Sequence, residues 1–257
     1  MNEIRLFGVG HSHVSAIIHG AACLSPSEGI IVDGINLRND AFRNLSTLPL
    51  DSPQVQEIRQ RAARAHLIFL SIQGNQYSIF GLVESPTPVD FYHARLPDLA
   101  IQDGAVVVPY RTMRQVLEAA LERVPRFFAL AKKLFDQPLV QCQPPPPKPS
   151  ESYIRAHPGA FREELSRSRV TPPSVRLKMW TLQCEIMREM CEQAGIPFLP
   201  CPAAALDDSG YLVESAWAED PTHGNSSYGA LVLRQLAEVA RSRQAAVRPP
   251  VPAGERS

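Results

Sequence analysis

The stretch that decides the expected fold runs Ile4-Arg5-Leu6-Phe7-Gly8-Val9-Gly10-His11-Ser12-His13. Its mainly apolar first part, from Ile4 to Val9, predicts a short buried β-strand. Apolar side chains then recur at helical spacing, at Val14, Ile17, Ile18 and Ala21. The sequence therefore predicts a strand followed by a helix, with Ser12 on the turn between them.

The same alternation continues along the chain. Further strands are predicted at 29–32, 66–72, 139–142 and 197–199, and helices at 53–64, 111–134, 174–194 and 225–240. Pro125 predicts a kink within the second of these helices. Short apolar strands that alternate with helices favour a mainly parallel central sheet with helices on both faces, a three-layer α/β/α fold.

Composition argues against several classes of function. The 257 residues include 26 basic and 26 acidic side chains, so net charge does not favour binding to nucleic acid or to an anionic membrane. No stretch approaches the ~20 apolar residues of a membrane span, and the N-terminus lacks a signal-peptide pattern. The five cysteines have no zinc-binding spacing. We therefore expect a cytoplasmic protein with reduced thiols.

Proline placement suggests how the chain is organised. We expect a single domain over residues 1–241 with an insertion around 143–170. The insertion begins with the proline-rich run 143–149, which predicts a stiff surface connector, and its polar remainder predicts a mobile lid. Residues 242–257 are predicted to form a disordered tail.

The residues that suggest chemistry lie at the two ends of the chain. Near the C-terminus, Asp220-Pro221-Thr222-His223 places an acid three residues before a histidine on a tight loop. A carboxylate in this position can orient an imidazole, which can then take a proton from a nucleophile. Ser12 supplies a hydroxyl at the other end. Together these residues predict acyl-transfer chemistry on a serine.

Three small or polar residues are expected at one place in the fold. Ser12, Gly34 and Asn75 each follow a predicted strand. Ligands of open parallel sheets bind beyond the carboxyl ends of the strands. The three residues are therefore predicted to share a site.

This order of motifs resembles that of the SGNH, or GDSL-like, hydrolase superfamily. The motifs stand here as Gly10-His11-Ser12, Gly34, Gly74-Asn75 and Asp220-Pro221-Thr222-His223. The resemblance implies a flavodoxin-like three-layer fold and a serine esterase that uses no cofactor. His11 stands where Gly-Asp-Ser has its aspartate, and residues 33–38 depart from the family's second motif.

The resemblance also implies a role for each residue. Ser12 would attack the ester carbonyl, His223 would serve as general base and then acid, and Asp220 would orient it. Three groups are implied for the oxyanion hole: the Ser12 N–H, the N–H of Gly34 or a neighbour, and the Asn75 amide. Two side chains are expected to line the substrate pocket: His11 and Tyr77. The expected substrate is a small-molecule or carbohydrate acyl ester, such as an O-acetyl group.

Other functions remain open at this point. The same residues could transfer the acyl group to an acceptor other than water, or the scaffold could bind ligands without catalysis. His11 and His13 form a His-x-His pair after a strand, which would suit a metal-dependent hydrolase. The oligomeric state is also left open.

Overall fold

The computed structural model of the protein describes residues 3–39, 45 and 48–247. Its β-strands are β1 (Ile4–Gly10), β2 (Ile30–Asn36), β3 (Leu67–Ser71), β4 (Val89–Asp90), β5 (Val106–Val107), β6 (Leu139–Cys142) and β7 (Phe198–Leu199). Its α-helices are α1 (Ser12–His19), α2 (Pro53–Ala62), α3 (Gln76–Gly81), α4 (Tyr110–Ala120), α5 (Val124–Leu134), α6 (Glu151–Ala156), α7 (Arg162–Arg167), α8 (Pro173–Ala194) and α9 (Ser226–Val247).

A central sheet contains five strands in the order β2-β1-β3-β6-β7, and all of its pairings are parallel. Strand β1 lies between β2 and β3, with Gly10 opposite Ser71 at the carboxyl end. This is the order of flavodoxin-like sheets, in which the direction of the connections reverses between the first and third strands.

Both faces of the sheet are buried by helices. Along β1, Phe7 and Val9 enter a core shared with α2, α4, α5 and α8, whereas Ile4 and Leu6 enter a second core with α1 and α9. Side chains of β3 alternate between the same two cores. Successive residues of a strand point to opposite faces, so strands covered on both sides must be apolar throughout. The predicted three-layer α/β/α fold is confirmed.

Two helix boundaries differ from those predicted. The stretch 111–134 forms two helices, because Pro125 falls in the first turn of α5, where its missing N–H costs no hydrogen bond. Helix α9 continues to Val247, so the first part of the predicted tail, 242–247, is helical. Its glutamine and alanines are good helix formers. Residues 248–257 lie outside the described residues.

The proline-rich run 143–149 is not a surface connector, because most of it is buried. Trp180 donates from Nε1 to the Pro144 carbonyl over 3.2 Å, and Arg176 donates to the Pro149 carbonyl over 3.1 Å. Proline has no N–H to satisfy, so such a run can cross the interior once side chains bind its carbonyls. Helices α6 and α7 follow, where a mobile lid was expected.

Two further features bear on the environment of the protein. No described helix combines the length and apolarity needed to cross a membrane. The five cysteines are all thiols, of which only Cys23 is exposed.

Candidate active site

Ser12 and Asn75 follow the two neighbouring strands at which the connections reverse. Ser12 is the first residue of α1, directly beyond β1, and Asn75 directly precedes α3, beyond β3. A side chain on Gly10 would overlap the Ser71 carbonyl, so glycine is required where these strands end. Open sheets bind ligands at this kind of reversal.

A chain of hydrogen bonds connects Ser12 to Asp220 through His223. Ser12 Oγ lies 2.7 Å from His223 Nε2, and His223 Nδ1 lies 2.9 Å from Asp220 Oδ2. An ionised carboxylate can only accept, so Nδ1 carries the hydrogen that faces Asp220. Nε2 of the neutral ring can then accept from the serine hydroxyl. The structure therefore brings the three predicted residues into direct contact.

The Asp220 carboxylate is held in its ionised form. Partial burial acts to raise its pKa, but the hydrogen bond and charge of His223 oppose this, as do backbone N–H groups. The N–H groups of Thr222 and His223 donate to Oδ1 over 2.7 and 2.8 Å. The net result is a pKa well below the usual range of aspartate. Asp220 can therefore stabilise a positive charge on His223 near neutral pH.

The loop that carries Asp220 and His223 is braced by the insertion. The Ala218 N–H closes the loop by donating to the His223 carbonyl over 3.2 Å. Lys148 donates from Nζ to the carbonyls of Ala218 and Asp220. The Tyr153 hydroxyl of α6 donates to the Ala218 carbonyl over 3.1 Å. These contacts fix the backbone of the loop.

The turn before Asn75 is held by α8. The buried Gln183 side chain accepts from the Tyr77 N–H over 2.7 Å and donates to the Gly74 carbonyl over 2.9 Å. Gln73, in the same turn, has φ +46°, and no other non-glycine residue among those described has a positive φ. This conformation is costly for glutamine, and such strain is concentrated at functional sites.

The Asn75 amide is oriented by two hydrogen bonds. Its Oδ1 lies 2.9 Å from His13 Nε2, and its Nδ2 donates to Thr222 Oγ1 over 3.0 Å. The amide oxygen only accepts, so His13 Nε2 carries a hydrogen. Burial, reinforced by the neighbouring His223, lowers the pKa of His13 to about 3, so its ring is neutral.

Two N–H groups near Ser12 can stabilise a negatively charged oxygen. The first N–H groups of a helix have no acceptor within it, and they lie at the positive end of its dipole, which makes the Ser12 N–H a donor. Asn75 Nδ2 carries two hydrogens, of which Thr222 takes one. The second is available to a ligand.

Gly34 does not reach this site. It lies within β2, which continues to Asn36, and its N–H donates to the Asp33 carboxylate over 2.7 Å. The N–H groups of Leu37 and Arg38 are also already hydrogen-bonded. The assignment of Gly34 to the oxyanion hole is therefore corrected, and the N–H groups of Leu37 and Arg38 do not replace it. The reason is that the strand extends past the glycine that was expected to end it.

The two residues expected to line the substrate pocket lie in different surroundings, and only one of them lines a cavity. His11 is half-buried and lines a cavity of about 600 Å³ beside Ser12. Tyr77 belongs to the core instead, where its side chain is 2% exposed and burial raises its pKa to about 12. Tyr77 lies on the inward face of α3, a short helix that was not predicted from the sequence.

In the part of the chain that the structure describes, no cluster of three or more histidine, cysteine, aspartate or glutamate side chains could hold a metal ion. The two histidines of the metal alternative have other partners. His11 Nδ1 accepts from the Gln73 N–H over 3.2 Å, and His13 Nε2 is bonded to Asn75.

Three side chains contribute in ways that the sequence did not predict: His13, which was considered only as a metal ligand, Thr222 and Lys148. Thr222 lies inside the Asp220–His223 motif, but its contact with Asn75 depends on tertiary structure. Lys148 did offer a signal, because it is the single charged residue within the run 143–149.

Comparison with known proteins gives a likeness of structure alone. No family model matches the chain, and no curated protein matches it in sequence. It is similar to a GDSL-like lipase from Bacteroides thetaiotaomicron (11% identity, 93% of this chain and 88% of that one, TM-score 0.49). It is also similar to a putative acylhydrolase from Bacteroides fragilis (11%, 93% and 87%, 0.47) and a carbohydrate acetylesterase from Sinorhizobium meliloti (11%, 94% and 100%, 0.44). Chains this distant can differ in activity, so the chemistry must be inferred from the side chains present here.

Proposed function

We propose that the protein is an SGNH-type serine hydrolase that cleaves an acyl ester. The proposal rests on the hydrogen-bond chain from Ser12 through His223 to Asp220. Its position at the carboxyl edge of a parallel sheet supports the proposal, because a ligand can approach there. A small-molecule or carbohydrate O-acyl ester is the proposed substrate.

The proposed reaction proceeds in two halves. Ser12 Oγ attacks the ester carbonyl while His223 Nε2 takes the hydroxyl proton, and the imidazolium is stabilised by Asp220. The Ser12 N–H and the second Asn75 Nδ2 hydrogen would donate to the oxyanion. His223 returns the proton to the departing alcohol oxygen. Water, activated by His223, then releases the acid and frees Ser12.

A fluorophosphonate probe and an activated ester test this proposal. We expect covalent labelling on the peptide that contains Ser12, and turnover of para-nitrophenyl acetate. Both should be lost in Ser12→Ala and retained in Ser27→Ala, which changes an exposed serine outside the site. Labelling or turnover that survives Ser12→Ala would remove this serine from the mechanism. Adding alcohol acceptors and analysing products separates hydrolysis from acyl transfer.

We also propose that the enzyme works in a reducing compartment such as the cytoplasm. The five cysteines support this, because all are thiols and four of them are buried.

A further inference from the structure

A cavity beside the proposed nucleophile has a basic lining. It has a volume of about 600 Å³ and lies between the turn after β2 and the start of α5. Its lining residues are His11, Leu37, Arg38, Gln73, Arg123, Arg126 and Phe127. Three of these carry guanidinium groups, and no acidic side chain lines the cavity among the described residues.

Two of the lining residues connect the cavity to the catalytic centre. His11 directly precedes Ser12, and Gln73 lies two residues before Asn75. The Gln73 N–H donates to His11 Nδ1 over 3.2 Å, so the two turns meet at the cavity wall. Ser12 and His223 themselves line a neighbouring cavity of about 700 Å³. A substrate whose ester carbonyl lies at Ser12 would reach the basic cavity past His11, which lines it and directly precedes Ser12.

The polar side chains that line the cavity mainly offer hydrogen-bond donors. Burial, followed by the positive charge of Arg38, lowers the pKa of His11 and keeps its ring neutral. Because Nδ1 accepts from Gln73, the hydrogen of the neutral ring is on Nε2. Phe127 packs edge-on against this ring at 5.6 Å between centroids and adds an apolar wall.

We infer that the substrate of the Ser12 site carries a second, anionic group, a carboxylate or phosphate, which is bound by Arg38, Arg123 and Arg126. This inference rests on the proposed function and narrows its substrate class. The planar guanidinium group matches the paired oxygens of both anions, and three such groups around one concave surface attract negative charge. Phe127 and Leu37 would pack against the apolar link between the anion and the ester.

A matched pair of esters tests whether the cavity binds an anionic group on the acyl half of the substrate. The para-nitrophenyl monoester of adipic acid differs from para-nitrophenyl hexanoate by a carboxylate in place of a methyl group. We expect a higher kcat/KM for the charged ester. Arg38→Gln and Arg126→Gln should each lower the charged-to-uncharged ratio roughly tenfold, as for loss of a charged hydrogen bond in a partly exposed site. Arg126→Lys should retain more of the ratio, and Arg111→Gln, an exposed arginine on α4 outside the cavity, should leave it unchanged.

A second pair of esters tests whether the cavity binds an anionic group on the alcohol half of the substrate. Para-carboxyphenyl acetate and para-carbamoylphenyl acetate have leaving groups that differ mainly in charge. An arginine-dependent preference in this pair alone would locate the cavity on the alcohol half of the substrate. The same preference in the first pair alone would locate the cavity on the acyl half of the substrate. Either result supports the inference.

Anion binding can also be measured separately from catalysis, in a variant that lacks the proposed nucleophile. Ser12→Ala should bind adipate or para-hydroxybenzoate by calorimetry, more weakly at high salt and more weakly again with Arg126→Gln added. If uncharged esters are hydrolysed but neither pair shows an arginine-dependent preference and no anion binds, the inference is overturned while the proposed function stands. If no ester reacts and the fluorophosphonate does not label, but arginine-dependent anion binding persists, the proposed function fails and the anion site stands.

Discussion

His13 and His223 lie side by side, with 4.5 Å between ring centroids, yet they must behave differently. In the proposed mechanism, His223 has to gain and lose a proton. His13 has to stay neutral, because a second positive charge would oppose the imidazolium on its neighbour. Burial achieves this by lowering the pKa of His13 to about 3. The ring then serves Asn75 as a fixed hydrogen-bond donor.

Asn75→Ala is expected to reduce kcat by roughly 10²- to 10³-fold, the usual cost of removing one oxyanion-hole donor. KM should change little, because the donor is needed mainly in the transition state. Steady-state kinetics with para-nitrophenyl acetate measures both constants, and thermal unfolding checks that the variant is folded. Asn39→Ala, an exposed asparagine after β2, is the control. A loss confined to KM would instead assign Asn75 to substrate binding.

Individual site residues were predictable where local sequence determines their surroundings. Asp220 and His223 are three residues apart on one loop, and Ser12 follows a strong strand signal. Gly34 misled the prediction because Asp33-Gly34 is also a common turn sequence. In the structure Gly34 is opposite Gly8, and a side chain there would overlap the Gly8 carbonyl. The glycine serves strand packing, which depends on a neighbour distant in sequence.

Among the connecting elements, the proline-rich run 143–149 links α8 to the loop that carries Asp220 and His223. Arg176 of α8 donates to the carbonyls of Lys148 and Pro149, and Lys148 in turn donates to the carbonyls of Ala218 and Asp220. Buried cations need such acceptors, since leaving their charge unsolvated is costly. Sequence alone could not predict this role, because a proline-rich run has the same local pattern in an exposed linker and in a buried segment that connects two elements.

Lys148→Met is expected to change the pH dependence of stability. Burial lowers the pKa of Lys148 to about 8, although the negative charge of Asp220 opposes this shift. A lysine in an unfolded chain has a pKa of about 10.4. Between these pH values the unfolded chain binds more protons than the folded one. Wild-type stability should therefore rise relative to the variant as pH increases from about 8 to about 10.

Urea unfolding over that pH range measures the difference. Lys133→Met, which changes an exposed lysine on α5, should follow the wild type. Equal pH slopes for wild type and Lys148→Met would show that burial does not lower the pKa of Lys148.

At the scale of the whole molecule, the sheet was predictable because strand and helix patterns alternate along the chain. The excursion between α3 and α4, which contains β4 and β5, was not. Its strands are two residues each, and three of the four residues, Val89, Val106 and Val107, are exposed. It is tied to α8 through Asp90 and Lys178, which lie 88 residues apart in sequence and are both completely buried.

This ion pair is expected to make a cooperative contribution to folding. Lys178 Nζ lies 3.0 Å from both Asp90 oxygens and from the Ala100 carbonyl. Asp90→Asn or Lys178→Met alone leaves one buried charge without its partner, which typically costs about 3–5 kcal/mol. The double variant removes both charges and should be less destabilised than the sum of the single variants.

A double-mutant cycle followed by urea unfolding measures this coupling. The exposed pair Glu163 and Arg167, also joined by an ion pair at 2.9 Å, is the matched control. Its cycle, with Glu163→Gln and Arg167→Met, should give less than about 1 kcal/mol, because water screens exposed pairs. Equal coupling energies in the two cycles would contradict a special role for the buried pair. A larger coupling for Asp90 and Lys178 would mean that this pair stabilises the packing of the excursion against α8, the helix that holds the Asn75 turn.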